Sequence, residues 1–313
     1  MILVDNASTD NSLIDARIVF KGLKIIENKK NLGFAGGNNV GINAANGKYV
    51  IFLNYDTVVD KHWLTEMVTT MESEDLIVDG KQIDGNIGIV QSKVMLHGTD
   101  LINTSGGNLN FLGFGWCKDY KKTEITDEPI FYSSGSALMI RKKILDIIGG
   151  FDEDFFMYHE DTDMSWNTRL LGYDVVVSPK AIVHHKYQFN RKTKDKFYYL
   201  ERNRYMTILK NYSLKTLLLI TPAILITEPA VFVYFMMSGN VKEKLRVNWY
   251  ILRNFGKIMK KRKRIQQMRE RPDRGVMKLM KAGIEFEEVD NPMLKYILNP
   301  FLSVYFKVMR VLV

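Results

Sequence analysis

Cysteine is nearly absent from this chain: Cys117 is the only one in 313 residues. Neither an intramolecular disulfide framework nor a multi-cysteine zinc site can be built from it, and a reducing compartment is allowed. Internal repeats and low-complexity tracts are also missing. Long hydrophobic runs are scarce. The one candidate, Leu217–Met237, carries a single charge, Glu228. As a helix at ~1.5 Å per residue it would be about 32 Å long, enough to cross the hydrocarbon core of a bilayer. Pro222 and the Glu228-Pro229 pair interrupt it. The sequence therefore predicts a bent hairpin or interfacial segment made of Leu217–Thr227 and Ala230–Met237, with a buried helix pair as the plain alternative.

What is present is ordinary globular material. Hydrophobic residues are 46% and charged residues 25%, which excludes a mainly disordered or collagen-like chain. The length suits two ordinary domains, or one large α/β domain with an appendage. The net charge of +9 is uneven. Between Lys242 and Arg274 stand 13 Lys/Arg and 3 Asp/Glu, so that segment carries +10 and the rest of the chain −1. Trp249, Tyr250, Leu252 and Phe255 lie among these cations, a mixture that suits an anionic lipid surface. A solvated charged helix is the plain alternative. No base-reading motif accompanies the cations, so no nucleic-acid partner is expected.

The first half alternates strands and helices. Ile2–Val4, Leu23–Glu27 and Tyr49–Leu53 read as short buried strands stopped by polar turns. Helices are expected over Ala35–Asn46 and His62–Met71, the first entered through the glycine-rich turn Asn31–Gly37. Short connections between such elements argue for a parallel sheet with crossover helices. Residues 72–130 look irregular. A strand at Ala137–Ile140, a helix at Lys142–Ile148 stopped by Gly149-Gly150, a helix carrying Trp166 and Leu170, and two strands, Tyr173–Val177 and Ala181–His185, complete the pattern.

Polar residues gather at the strand ends, where a parallel sheet binds its ligands. Asp5 follows the first strand, Asn54 and Asp56 the third, Glu160-Asp161 precede a helix, and His184-His185 close the last strand. Carboxylates and an imidazole on one edge suffice for a divalent cation and a general base. Each has a bland reading: Asp5 as a turn former, Asp56 as a helix cap, the acids at 160–163 as favourable charges at a helix N-terminus, and the histidines as surface groups.

The order and spacing of these clusters decide between the readings. Val4-Asp5-Asn6-Ala7-Ser8-Thr9-Asp10, Asn31-Leu32-Gly33-Phe34, Phe52-Leu53-Asn54-Tyr55-Asp56-Thr57, Gly149-Gly150-Phe151-Asp152-Glu153, His159-Glu160-Asp161-Thr162-Asp163 and Ala181-Ile182-Val183-His184-His185 together resemble the family 2 glycosyltransferases, in particular their rhamnosyltransferase-like branch. The resemblance implies an α/β fold of GT-A type, a Rossmann-like, mostly parallel sheet with flanking helices. It covers residues 1–210, with 211–313 as a helical, membrane-associated region. It also implies an inverting enzyme moving a sugar, rhamnose being one candidate, from a nucleotide-diphosphate sugar to a polysaccharide or lipid-linked acceptor at the cytoplasmic face of a membrane.

Carried over residue by residue, the resemblance makes Asp5 a hydrogen-bond partner of the nucleotide base and lays Gly33 and Asn38 against nucleotide and diphosphate. Asn54 and Asp56 occupy the Asp-x-Asp metal motif, and Asp56 with His185 would hold Mg2+ or Mn2+. Asp161 would be the general base, Glu160 would orient the acceptor, and Trp166 and Arg169 would shape its pocket. There are two departures. Asn54 stands where an acid is usual, a neutral oxygen ligand. The chain also opens on what the resemblance makes the second strand, without the Val-rich strand ending in Thr-Tyr-Asn. That opening leaves a second expectation, a catalytically impaired, transferase-like binding module.

Overall fold

A computed structural model describes residues 1–73, 75–78, 81–84, 86–186, 194–286 and 291–313. The chain opens with β1 (Ile2–Asp5), α1 (Ser12–Val19), β2 (Lys24–Glu27), α2 (Gly33–Ala44), β3 (Tyr49–Leu53), β4 (Thr57–Val59) and α3 (Trp63–Met71). A hairpin, β5 (Asp75–Val78) and β6 (Lys81–Asp84), leads into the long β7 (Ile87–Leu96), then β8 (Ile102–Thr104), β9 (Gly107–Leu109) and β10 (Gly115–Cys117). Next come β11 (Ala137–Arg141), α4 (Lys142–Ile148), α5 (Glu160–Leu170) and β12 (Asp174–His185). The rest is helical: α6 (Lys194–Asn211), α7 (Leu214–Met237), α8 (Val241–Met268), α9 (Asp273–Met277) and α10 (Asn299–Leu312).

The main sheet runs β3-β11-β7-β12-β4, with β8 also on β7. Its pairing is mixed: β7 and β12 are parallel, while β11 is antiparallel to both β3 and β7. Strand–helix–strand units predict parallel neighbours, and β11, which enters from the long 97–136 excursion, inserts the other way. Period-two alternation covers both faces. Val50, Phe52, Leu138 and Ile140 pack with Ala35, Ile42, Ile144, Leu145 and Met164 of α2, α4 and α5. Ala137 and Met139, with Tyr49 and Ile51 alongside, face Trp63, Met67 and Met71 of α3.

Three elements differ from the sequence reading. The stretch thought irregular contains β7, the buried strand between β11 and β12. Polar Gln91 and Ser92 mask its apolar run, and both are satisfied inside: Gln91 Oε1 accepts from Ser133 Oγ (2.8 Å) and Ser134 N (2.6 Å), and Ser92 Oγ accepts from Trp63 Nε1 (2.8 Å). The two expected late strands are one, β12, in which a register irregularity between Ser178 and Ile182 accommodates Pro179. Helix α7 is continuous through Pro222 and Pro229, so the expected break does not occur. Thr221 Oγ1 bonds back to Leu217 O (2.7 Å) and Thr227 Oγ1 to Ile224 O (3.1 Å) beside the two prolines.

β1 and β2 pair in parallel as a two-stranded sheet of their own, and α1 beside them buries no residue. The opposite end of the molecule is densely packed. Trp166 stands at the centre of a core that joins Leu109, Phe111 and Phe131 to Tyr212, Ile220, Val276, Leu302 and Phe306. No break in this core marks residue 210.

Candidate active site

The site begins where β3 ends. Leu53 pairs with Ala137, and one residue later Asn54 N donates to Ser136 O (2.9 Å). This fixes the Asn54-Tyr55-Asp56 turn against the Ser134-Gly135-Ser136 loop. β4 follows at once and pairs with the end of β12, Thr57 opposite His185. That register brings Asp56 Oδ1 to 3.2 Å from His185 Nε2. His185 Nδ1 lies 2.9 Å from Asn103 Oδ1 on β8. A carbonyl oxygen only accepts, so the Nδ1 proton points at Asn103 and Nε2 turns a lone pair towards Asp56. Asp56 Oδ1 is buried and receives no hydrogen bond. Two acceptors facing each other at this distance fit a shared divalent cation. Among the described residues no group of three or more His, Cys, Asp or Glu could hold a metal.

The other half is built on the N-terminus of α5. Asp161 Oδ2 accepts from Gly135 N (3.0 Å) and Oδ1 from Thr162 N (2.7 Å). The loop that holds Asn54 therefore also holds Asp161, and the two halves share one backbone strut. Burial raises the Asp161 carboxyl above its ordinary range despite these hydrogen bonds. Burial, and then the Asp161 charge, push Glu160 up much further. Glu160 Oε2 is buried without a partner.

The segment entering α5 is strained. Phe156, Tyr158 and His159 have φ of 63°, 66° and 65°, a region that costs non-glycine residues about 1 kcal/mol or more each. Phe156 leans on Gly33, itself at φ 72°. A Cβ on Gly33 would lie 2.5 Å from Phe156 O and Cδ2. Gly33 is thus required both by its own conformation and by the ring beside it.

The residues expected on the nucleotide side lie at the end of β1 and on α2. Asp5 caps its own turn, accepting from Ser8 N at 3.2 and 3.4 Å. Asn6 carries the long-range work, donating to Gly33 O (3.0 Å) and accepting from Leu32 N (3.0 Å). Asn38 donates to Phe34 O of its own helix (2.9 Å). Phe34 also touches the site loop, since a Cβ on Gly135 would meet its ring at 2.7 Å. Contacts therefore run from Asn6 to Gly33, from Phe34 through Gly135 to Asp161, and from Ser136 through Asn54 to the turn whose Asp56 meets His185.

Trp166 and Arg169 are not part of this surface. Trp166 is fully buried, edge-on to Phe131 and Tyr212. Arg169 is buried too, donating to the carbonyls of Phe131 (2.8 Å), Ile130 (2.7 Å) and Val175 (3.1 Å). Asp152 and Asp163, acids of two of the motifs, clamp Lys210 of α6 at 2.5 and 2.9 Å. Asn103, Gly135 and Asn6 escaped the sequence reading. Nothing local ties Gly135 to an acid 26 residues away.

The family model for glycosyl transferase family 2 matches residues 1–149. Over that stretch the chain is similar to glycosyl transferase family 2. The low-salt glycan biosynthesis hexosyltransferase Agl10 of Haloferax volcanii is 27% identical over 172 residues, 54% of this chain and 52% of the relative. An N-acetylglucosaminyl-diphospho-decaprenol L-rhamnosyltransferase of Mycobacterium tuberculosis is 36% identical over 74 residues, 23% of this chain and 24% of the relative. The chain thus spans about half of the first relative's length and about a quarter of the second's. Among solved structures, GalNAc-T7 with UDP, GalNAc and Mn2+ superposes with a TM-score of 0.53 at 14% identity, over 69% of this chain and 42% of that one. The fold is α/β, of GT-A type.

Proposed function

We propose that the chain transfers a glycosyl group from a nucleoside-diphosphate sugar to an acceptor hydroxyl, with inversion. The observation that carries this reading is the meeting of Asp56 and His185 at 3.2 Å, on the loop system that also holds Asp161 through Gly135. Asp56 and His185 would hold Mg2+ or Mn2+, which when bound supplies positive charge to a diphosphate leaving group. Asn54, two residues before Asp56, would add a neutral oxygen. Asp161 takes the acceptor proton as general base, and the burial that raises its pKa makes it a stronger base than an exposed carboxylate. Glu160 orients the acceptor by hydrogen bonding. Asp5, Gly33 and Asn38 form the nucleotide side.

The acceptor class follows from chemistry and likeness together. The Haloferax relative is named for glycan biosynthesis and the mycobacterial one for a diphospho-decaprenol acceptor. We assign this chain a glycan or lipid-linked acceptor, with rhamnose as the first donor sugar to try. Residues 1–210 form the catalytic unit and 211–313 the part that meets an anionic membrane surface from its cytoplasmic side. Supporting this, α7 exposes Leu214, Leu218, Leu225, Ile226, Val233 and Met237 while turning Glu228 inward to Arg204 (2.9 Å) and Lys244 (2.7 Å). On α8, Lys242, Arg246, Trp249, Arg253, Lys260 and Lys263 are exposed at spacings of three, four and seven residues, one helical stripe.

The test is release of nucleoside diphosphate from a panel of nucleotide sugars by wild type, Asp161→Asn and Asp56→Ala proteins. Loss in both variants is expected; turnover unchanged in both would sink these roles. A second reading, a transferase-like module that binds nucleotide without turnover, draws on the isolation of β1, whose Asp5 is occupied by its own turn. Nucleotide binding by calorimetry with no release from any donor of the panel would favour it.

A further inference from the structure

Asn203 sits in the middle of α6, fully buried, and no motif in the sequence draws attention to it. Its Nδ2 lies 3.0 Å from Phe155 O, 2.8 Å from Met157 O and 2.7 Å from Tyr158 O. Two amide protons thus serve three carbonyls of one loop. Its Oδ1 accepts from Arg202 Nε (2.8 Å), and Arg202 Nη2 reaches the carbonyls of Asp154 (2.5 Å) and Phe155 (2.8 Å). Arg202 is in turn held over the rings of Tyr198, Tyr199 and Tyr250.

The loop so gripped, 155–158, holds two of the three residues at positive φ before Glu160 and Asp161, and the third, His159, follows directly. Such backbone persists only where its surroundings over-determine it. Carbonyls turned inwards by these conformations need donors, because buried acceptors left unpaired are costly. Phe156 O is met by Ala35 N (3.2 Å); the carbonyls of 155, 157 and 158 are met by Asn203.

We propose that Asn203 is a positioning residue for catalysis: by pinning the 155–158 carbonyls it fixes the first turn of α5 and hence the direction of the Glu160 and Asp161 carboxyls. This rests on the assignment of Asp161 as the base. Asn203 touches no substrate and acts only through the loop.

The substitution Asn203→Asp keeps the size of the side chain and its bond to Arg202 but replaces the donor with an acceptor facing three carbonyls. Hydrogen exchange of the full-length protein, without any ligand, is expected to speed up at amides 156–161 by tenfold or more. Exchange in β7 and β11 should stay unchanged. With dTDP-rhamnose and UDP-N-acetylglucosamine as donor probes, kcat should fall at least tenfold with donor KM within twofold, and the acid limb of the kcat profile should move. Arg202→Met, which keeps the stem and loses the fork, should give the same signature more weakly and serves if the first variant does not fold. Unchanged loop exchange in either variant, or kcat and KM worsening together, overturns the proposal. Asp161→Asn is run alongside. If Asp161→Asn is inactive while Asn203→Asp keeps full kcat, the clamp fails and the base stands; if Asp161→Asn keeps its activity, the base assignment itself is wrong.

Discussion

The two halves of the site are made by different means. Asp56 and His185 meet because strands pair: β3 with β11, and β4 with β12, set their separation by register alone. Glu160 and Asp161 are placed by a loop of unfavourable backbone, wedged against Gly33 and gripped from α6. The strand-built half is rigid by default, whereas the loop-built half is held only as well as its wedges and clamps hold. Precision in the first is a property of the sheet. In the second it depends on residues far away in sequence.

The contrast can be broken hardest at Asp161. Asp161→Asn should lower kcat by roughly 10²–10⁴-fold, the usual worth of a general base, read by diphosphate release. A carboxyl whose pKa the fold raises lends stability only below the ordinary carboxylate range and loses it as pH rises through the raised value. The difference in melting temperature between wild type and Asp161→Asn should therefore move in the variant's favour as pH rises from about 4 to about 7, whatever the lost bond to Gly135 N or Thr162 N costs. A difference that does not change with pH would contradict the burial argument.

Next comes the strand-built half. Asp56→Ala and His185→Ala should each weaken Mn2+ dependence by roughly 10–100-fold, measured as the metal concentration for half-maximal rate, and combining them should cost little more than either alone. Additive losses would mean that the two side chains do not share one cation.

Gly33→Ala tests the wedge. The added Cβ meets Phe156 O at 2.5 Å on a backbone at φ 72°, and we expect a loss of about 1–3 kcal/mol in denaturant unfolding with kcat reduced more than the binding of Mn2+. An equal effect on both would erase the distinction between the halves.

The smallest effect is that of pH on stability. Burial alone would raise Glu201, but Arg204 and Lys244 outweigh it and bring it to about 2. Asp119 is likewise raised by burial and brought to about 2 by Lys118, Ser105 and Thr126. Both lie below the unfolded value near 4. Their stabilisation is therefore complete above that value and lost as pH falls towards 2. The melting temperature should decline across that window, and less steeply in Glu201→Gln than in wild type.

The sequence made the strand-built half legible. The polar residue after each strand and the tandem histidines have local signatures, and strand pairing turns such signatures into proximity. It misled on Trp166 and Arg169, which share a helix with Asp161. A helix shows several faces, and the motif does not say that these two turn to the interior. β7 was hidden because Gln91 and Ser92 break its apolar run, and only their distant partners, Ser133, Ser134 and Trp63, explain why polar groups are tolerated there. The continuity of α7 was hidden for a related reason: proline removes a donor and ends many helices, yet a helix can be carried through where its surroundings support it. Asn203 had no signal at all, since one asparagine in a polar helix is ordinary until its three acceptors are seen.

The irregular register of β12 has a consequence for chain length. His185 faces Asp56 and His184 lies near Asp60 at 3.6 Å, because successive residues of a strand point to opposite sides. Lengthening the 179–181 stretch by one residue would advance His184 into the berth of His185, an imidazole replacing an imidazole. Shortening it by one would deliver Lys186 there instead, an ammonium opposite Asp56. The doubled histidine makes this strand forgiving of insertion and intolerant of deletion.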